Sequence, residues 1–218
     1  MLICLDAGHG GYDPGAIGNY SQEKNINLAI VKKLQARLEE LNIKTVLTRS
    51  DDSFVRLDDR AKISNKVLAD LFISIHCNSV ADKKAHGVET LFYKSGQDIA
   101  EIVQRNLVKN TGLTNRKAKY MNLSVTRETN AKAILIECAF ISNPTEEQLL
   151  NDYIFQGKII KSIVDAIKEY YKIGEKMEHW AKNDYNELVA SGMELDKFDE
   201  SNATLYAMMN KFRKTYIK

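Results

Sequence analysis

The chain has 218 residues, 44% hydrophobic and 28% charged, with a formal net charge of +2. That balance describes a globular chain of one ordinary domain plus a small appendage, and it excludes a broad nucleic-acid surface. No apolar run is long enough to span a bilayer, and Met1 leads into an apolar stretch without the parts of a secretion signal, so synthesis in the cytoplasm without a signal peptide is expected.

The first predicted element is a strand, Leu2–Leu5, which ends at Asp6 and runs into Gly8-His9-Gly10-Gly11. Glycine allows tight turns and close approach of other groups, and histidine is both a metal ligand and an acid–base group. A turn of this composition after a buried strand points to a site at the strand's end. From Ile26, the residues Ile30, Leu34, Leu38 and Leu41 recur three or four apart, which predicts an amphipathic helix with Glu23 at its start. Further strands are predicted at Thr45–Thr48, Leu71–His76, Val88–Tyr93 and Ala133–Cys138. Helices are predicted over 55–67, 99–108 and 153–171, the last carrying the stripe Ile159, Ile160, Ile163, Val164 and Ile167. Alternating strands and helices with near-continuous apolar strands imply an α/β fold: a mostly parallel twisted sheet covered by helices. After Tyr171 a polar linker, KIGEKMEH, precedes a predicted helix–loop–helix carrying Trp180, Tyr185, Leu188, Leu205, Met208, Met209 and Phe212. The expected organisation is a catalytic domain over 1–172 and a small C-terminal helical hairpin over 173–218.

Ligands of open α/β sheets bind outside the carboxyl ends of the strands. At those ends stand His9, His76 and Glu137, with Glu23 across the glycine turn. Taken singly, either histidine reads as a hydrogen-bonded structural group and Glu23 as a favourable charge in a helix's first turn. Glu137 is harder to explain so, because it follows Ile134-Leu135-Ile136 in a strand expected to be buried, where a carboxylate is costly unless paired or metal-bound. Taken together, two histidines and one glutamate match a hydrolytic zinc site, leaving a second glutamate to act on water. His86 and His179 read as loop residues. Cys4, Cys77 and Cys138 cannot all pair and lie in apolar runs, so they read as buried free thiols rather than as half of a Cys/His catalytic pair.

The blocks DAGHGGYDPGA, Glu23, TRSDDSFVRLDDRAKISN, ADLFISIHCNS, HGVETLFY and NLSVTRETNAKAILIECAFISNPTEEQLL together resemble the zinc-dependent N-acetylmuramoyl-L-alanine amidases of the amidase_3 type, in the family's order and from about Met1 to Tyr171. The resemblance implies a peptidoglycan hydrolase that cuts the amide between N-acetylmuramic acid and L-alanine. It implies His9, Glu23 and His76 as ligands of Zn2+, Glu137 as the catalytic glutamate, and Asn78 as the family's asparagine after the second histidine. Ala139 stands where a glycine is usual, and Ser64-Asn65 where Ala-Asn is frequent; neither touches the metal. The glycines flanking His9 are expected to give substrate room near the metal. The C-terminal segment resembles a single S-layer-homology-like motif through Trp180-Ala181, Leu188, Gly192-Met193 and Phe198, with Thr204-Leu205 where Thr-Arg is usual. That implies attachment to a secondary cell-wall polymer, against self-association or plain packing as the other roles. With no signal peptide expected, the chain looks most like a phage or prophage endolysin of a Gram-positive host, acting at the bacterial cell wall after release, with a host autolysin as the alternative. An inactive wall-binding scaffold would need loss of a site residue, and all four are present; a zinc peptidase would share the metal chemistry.

Overall fold

A computed structural model describes residues 1–173 together with 186–187 and 189–190. The strands are β1 (Leu2–Ala7), β2 (Lys44–Leu47), β3 (Leu71–Asn78), β4 (Val88–Phe92), β5 (Asn115–Tyr120) and β6 (Lys132–Phe140). Between and after them lie α1 (Glu23–Glu40), α2 (Leu57–Lys66), α3 (Gln97–Thr111), α4 (Ser124–Arg127), α5 (Pro144–Asn151) and α6 (Tyr153–Tyr171). The chain divides into two units between Ala166 and Ile167, and every residue of the candidate site described below belongs to the first.

The six strands form one sheet in the order β2-β1-β3-β6-β4-β5. Strands β2, β1, β3 and β6 run parallel, β4 lies antiparallel to β6, and β5 runs parallel to β4. The mostly parallel sheet is as expected, and the reversal at β4 has a useful consequence. It brings the start of β4 beside the end of β6, so that Glu89 stands opposite Glu137. Ile3, Leu5, Ile73, Ile75, Ile134 and Ile136 are fully buried, as strands covered on both faces require. Helix α1 buries Ile26, Ile30, Leu34 and Leu38 of the predicted stripe, with Val31 beside them, while Leu41 is the C-cap and only partly buried. Helix α6 buries Ile159, Ile160, Ile163 and Val164.

Three elements escape the pattern of apolar residues. Strand β5 reads NRKAKY, with alternate residues exposed, and it is an edge strand, where lysines discourage pairing with other chains. Lys117, at φ 75°, marks a bulge where its register against β4 shifts. Helix α4 is a single turn. Helix α5 starts from a local signal instead: Asn143 caps it by accepting from the Thr145 and Glu146 N–H groups, with Pro144 next in the chain. The predicted hairpin, including Trp180, Leu188, Gly192, Met208 and Phe212, lies outside the described residues, apart from 186–187 and 189–190, which are helical.

Candidate metal and catalytic site

The turn after β1 is built around buried charge. Asp6, fully buried, accepts hydrogen bonds from Thr48 Oγ1 (2.6 Å), Ser74 Oγ (2.6 Å) and Arg60 Nη1 (2.8 Å). Burial opposes its ionisation, but the Arg60 charge and these bonds hold its carboxyl below the ordinary value. Arg60 also donates to the carbonyls of Ala7 (2.6 Å), His9 (2.9 Å) and Val55 (3.1 Å). Arg49 donates to the carbonyls of Ala7 (2.8 Å) and Gly8 (3.0 Å) and to that of Lys24 (2.8 Å) on α1. Two guanidinium groups thus clamp the backbone on which His9 sits, and His9 itself is held at φ 61°, a conformation uncommon for a side-chain-bearing residue.

The space that the glycines of the turn leave is used by the protein itself. A Cβ on Gly8 would lie 2.2 Å from the His76 ring, and one on Gly10 2.1 Å from the Ser53 carbonyl oxygen. Gly8 makes room for His76; Gly10 lets the turn lie flush on the 52–54 loop.

His9, Glu23 and His76 converge: each offers one ligand atom, and these atoms all lie within 4.8 Å of one another. Glu23 heads α1, and its buried carboxylate accepts from the N–H groups of Ala16 (2.9 Å) and Cys77 (3.0 Å) and from Asn27 Nδ2 (3.2 Å). His9 Nε2 stands 3.3 Å from Glu23 Oε2, and His76 Nδ1 2.9 Å from Glu23 Oε1. His9 Nδ1 faces Asp13 Oδ2 at 2.9 Å, which turns Nε2 towards the cluster. Burial lowers the affinity of His9 for a proton, but Glu23 and Asp13 outweigh it and push its pKa up to about 9. His76 is raised too, against its own burial, by Glu23, and Glu23 is pushed far below the carboxylate range by the two imidazoles.

Glu137 lies beside His76 in register across β3 and β6. Its Oε2 is buried without a hydrogen-bond partner. Burial, with the charges of Glu23 and Glu89 added, pushes its pKa up to about 7 in spite of the nearby imidazoles. An orphaned carboxylate oxygen beside two imidazoles and a carboxylate fits a divalent-cation centre with a proton-transfer group next to it. Asn78 does not join the three; its Nδ2 donates to Glu89 Oε1 at 2.7 Å. His86 is exposed in a loop, as read. The three cysteines are free and buried, and burial pushes Cys4 up to about 12 and raises Cys77 and Cys138 as well, so none is a thiolate nucleophile.

Sequence reasoning missed the supports. Glu147 is fully buried, and its carboxylate accepts five hydrogen bonds from Asn19, Tyr20 and Ser21, the loop that leads into Glu23. Glu146, its neighbour, accepts from the N–H groups of Gly87 and Phe140, both at 2.7 Å. The adjacent pair of glutamates just after a capping Asn-Pro was the available signal.

The family model for Amidase_3, N-acetylmuramoyl-L-alanine amidase, matches residues 3–169. The catalytic domain of CwlV, an N-acetylmuramoyl-L-alanine amidase from Bacillus (Paenibacillus) polymyxa var. colistinus, is 38% identical in sequence with a TM-score of 0.76, over 79% of this chain and 98% of that one. The N-acetylmuramoyl-L-alanine amidase from Clostridium difficile 630 is 35% identical with a TM-score of 0.76, over 78% and 96%. A Staphylococcus epidermidis protein described as "Probable cell wall amidase LytH" is 37% identical over 173 residues, which are 78% of this chain and 58% of that protein. On this match over most of its length, the chain belongs to the Amidase_3 family of N-acetylmuramoyl-L-alanine amidases, whose substrate is cell-wall peptidoglycan.

Proposed function

We propose that the chain hydrolyses the amide between the lactyl group of N-acetylmuramic acid and L-alanine, with zinc held by His9, Glu23 and His76 and with Glu137 as the proton-transfer group. The observation that carries the reading is the convergence of those three donors, from three distant segments, beside an unpartnered buried carboxylate oxygen. When bound, zinc supplies Lewis acidity, polarising a carbonyl and acidifying water. The chain's own residues do the rest. Glu23 and Asp13 fix the rings of His9 and His76 with nitrogen atoms turned to one point. Glu137, buried next to these ligands with one oxygen that has no hydrogen-bond partner, takes the proton of the attacking water. The water oxygen bonds to the lactyl carbonyl carbon, the carbon–nitrogen bond breaks, and Glu137 returns the proton to the alanine nitrogen. Glu137→Gln tests this: it keeps the shape, cannot accept that proton, and should retain zinc while losing activity by a factor of ~10²–10⁴. His76→Ala should lose zinc. Near-normal activity in the first variant, or full zinc and activity in the second, contradicts the assignment.

The domain division is part of the proposal. Residues 1–172 are taken as the catalytic domain, and 173–218 as a segment that binds a wall polymer or a second copy; the family match ends at residue 169, which supports the boundary. No helix among the described residues is long and apolar enough to cross a membrane. Release as an endolysin is proposed for delivery: expression in a host should lyse cells only when a separate membrane-permeabilising protein is present.

A further inference from the structure

The strand order sets out a line of side chains across the end of the sheet. At one end, Tyr12, in the turn after β1, stacks on Phe54, in the loop after β2, with ring centroids 4.3 Å apart and planes 29° from parallel. Tyr12 is 80% exposed, unusual for a large aromatic residue placed beside a site. The pair is positioned by Gly11, where a Cβ would lie 2.9 Å from the Phe54 nitrogen, and by the bond from Gly11 N–H to Asp52 Oδ1 (3.0 Å). Phe54 is one wall of a cavity of about 390 Å3 whose lining includes His9 and His76, with Leu57, Leu123 and Val125 as further apolar walls. Besides the two histidines it is lined by Arg60, spent on buried partners, and by Asp13, which is paired with His9 at 2.9 Å. In the middle of the line come His76 and Glu137. At the other end, Glu89 stands opposite Glu137, and Lys119 and Arg116 from β5 gather on Glu89. Beyond their pairing with Glu89, both cations keep more than a third of their side chains exposed.

The substrate has two unlike arms about the scissile amide. The acyl arm carries an uncharged sugar ring, whose C–H faces suit aromatic surfaces. The amine arm is a peptide with at least one carboxylate. We propose, on the footing of the amidase reading, that the sugar ring lies on the Tyr12–Phe54 wall and that the peptide runs towards Arg116 and Lys119. The near end offers aromatic and apolar faces to a ring, and the far end offers exposed cations to a carboxylate. At about 5 Å per strand, each end lies about 10 Å from the centre, the reach of one sugar or two residues.

The test measures kcat/KM of the zinc-loaded enzyme on three soluble substrates: a muramoyl-L-alanyl peptide, the same peptide acylated by lactate without the ring, and the muramoyl peptide with its carboxylates amidated. Tyr12→Ala should lower the preference for the ringed over the ringless substrate by about three- to ten-fold, and Tyr12→Phe should restore it. Lys119→Gln should lower the preference for free over amidated carboxylates by about two- to five-fold. If Tyr12→Ala lowers all three rates equally, or moves the carboxylate preference in place of the ring preference, the orientation is wrong. Wild-type enzyme that cleaves none of the three overturns the amidase reading and this one with it, an outcome distinct from cleavage without discrimination.

Discussion

Replacing Glu147 by glutamine changes one atom and should be among the most damaging conservative substitutions in the chain. Oε1 accepts from Tyr20 N (2.9 Å), Ser21 N (3.0 Å) and Ser21 Oγ (2.8 Å), and Oε2 from Asn19 N (2.8 Å) and Asn19 Nδ2 (2.9 Å). An amide can keep its oxygen on one side only. In the better orientation its NH2 faces Asn19, whose side-chain amide can turn to accept from it but whose backbone N–H cannot, so one charge-assisted bond becomes a donor–donor contact. Such a bond contributes about 1.5–3 kcal/mol, which sets the size of the loss. Gly18 lets the loop approach the carboxylate this closely, since a Cβ there would lie 2.2 Å from Oε1. Against a total stability of about 5–15 kcal/mol, the variant should be folded but visibly weakened. Urea unfolding of zinc-free protein measures this directly. Zinc affinity should fall as well, because the loop is joined to the Glu23 N–H through the Ala16 carbonyl at 2.9 Å. There is also a pH signature. Burial raises the Glu147 carboxyl, but the N–H groups of Tyr20 and Asn19 and the side chains of Ser21 and Asn19 outweigh it and lower its pKa. Stabilisation by a lowered carboxyl is complete above its unfolded value and lost as pH falls through the folded one, so the gap between wild type and variant should narrow in acid. A loss under about 1 kcal/mol at neutral pH would refute the reasoning, for then the loop is held by something other than this carboxylate.

Zinc binding at neutral pH should release protons, because His9 in the zinc-free protein holds one up to a pH of about 9; calorimetry in buffers of different ionisation enthalpy should show the release declining as pH rises through that value. In the zinc-free protein the same raised histidine stabilises the fold below its unfolded pKa, and that contribution should disappear between the ordinary value of 6.5 and about 9, read as a falling unfolding midpoint. Gly8→Ala should displace the His76 ring, costing about 1–3 kcal/mol of stability and most of the bound zinc; full metal content by elemental analysis would contradict the packing argument. Deleting residues 173–218 should leave a zinc-binding enzyme active on soluble muropeptides but weaker on whole walls, and unchanged wall lysis, wall binding and solution mass would reduce that segment to packing.

The residues proposed to carry chemistry were legible in the chain because each interrupts a pattern. His9 breaks a glycine turn, and His76 and Glu137 end apolar runs where polar groups are expensive. Glu23 needed the fold, since a glutamate at a helix start has an ordinary explanation, and the approach of His9 and His76 is what supports a second one. The scaffold around them was not legible. Arg60 meets Asp6 across 54 residues and Glu147 meets Asn19 across 128, and no local periodicity records a pair so separated. The reversal of β4 was equally hidden, because an apolar run does not reveal strand direction, yet that reversal sets Glu89 beside Glu137. The glycines were legible only in part for a related reason: the turn showed that space was needed beside His9, but not that the His76 ring and the Ser53 carbonyl occupy it.

Digestion of purified peptidoglycan by the zinc-loaded chain in ¹⁸O-labelled water, with mass analysis of the products, tests the central claim most directly. The account predicts stem peptides with a free L-alanine amino terminus and intact glycan strands whose lactyl carboxylates carry the label. Label in the peptide termini, new reducing sugar ends, or cleavage between amino acids of the stem would contradict it.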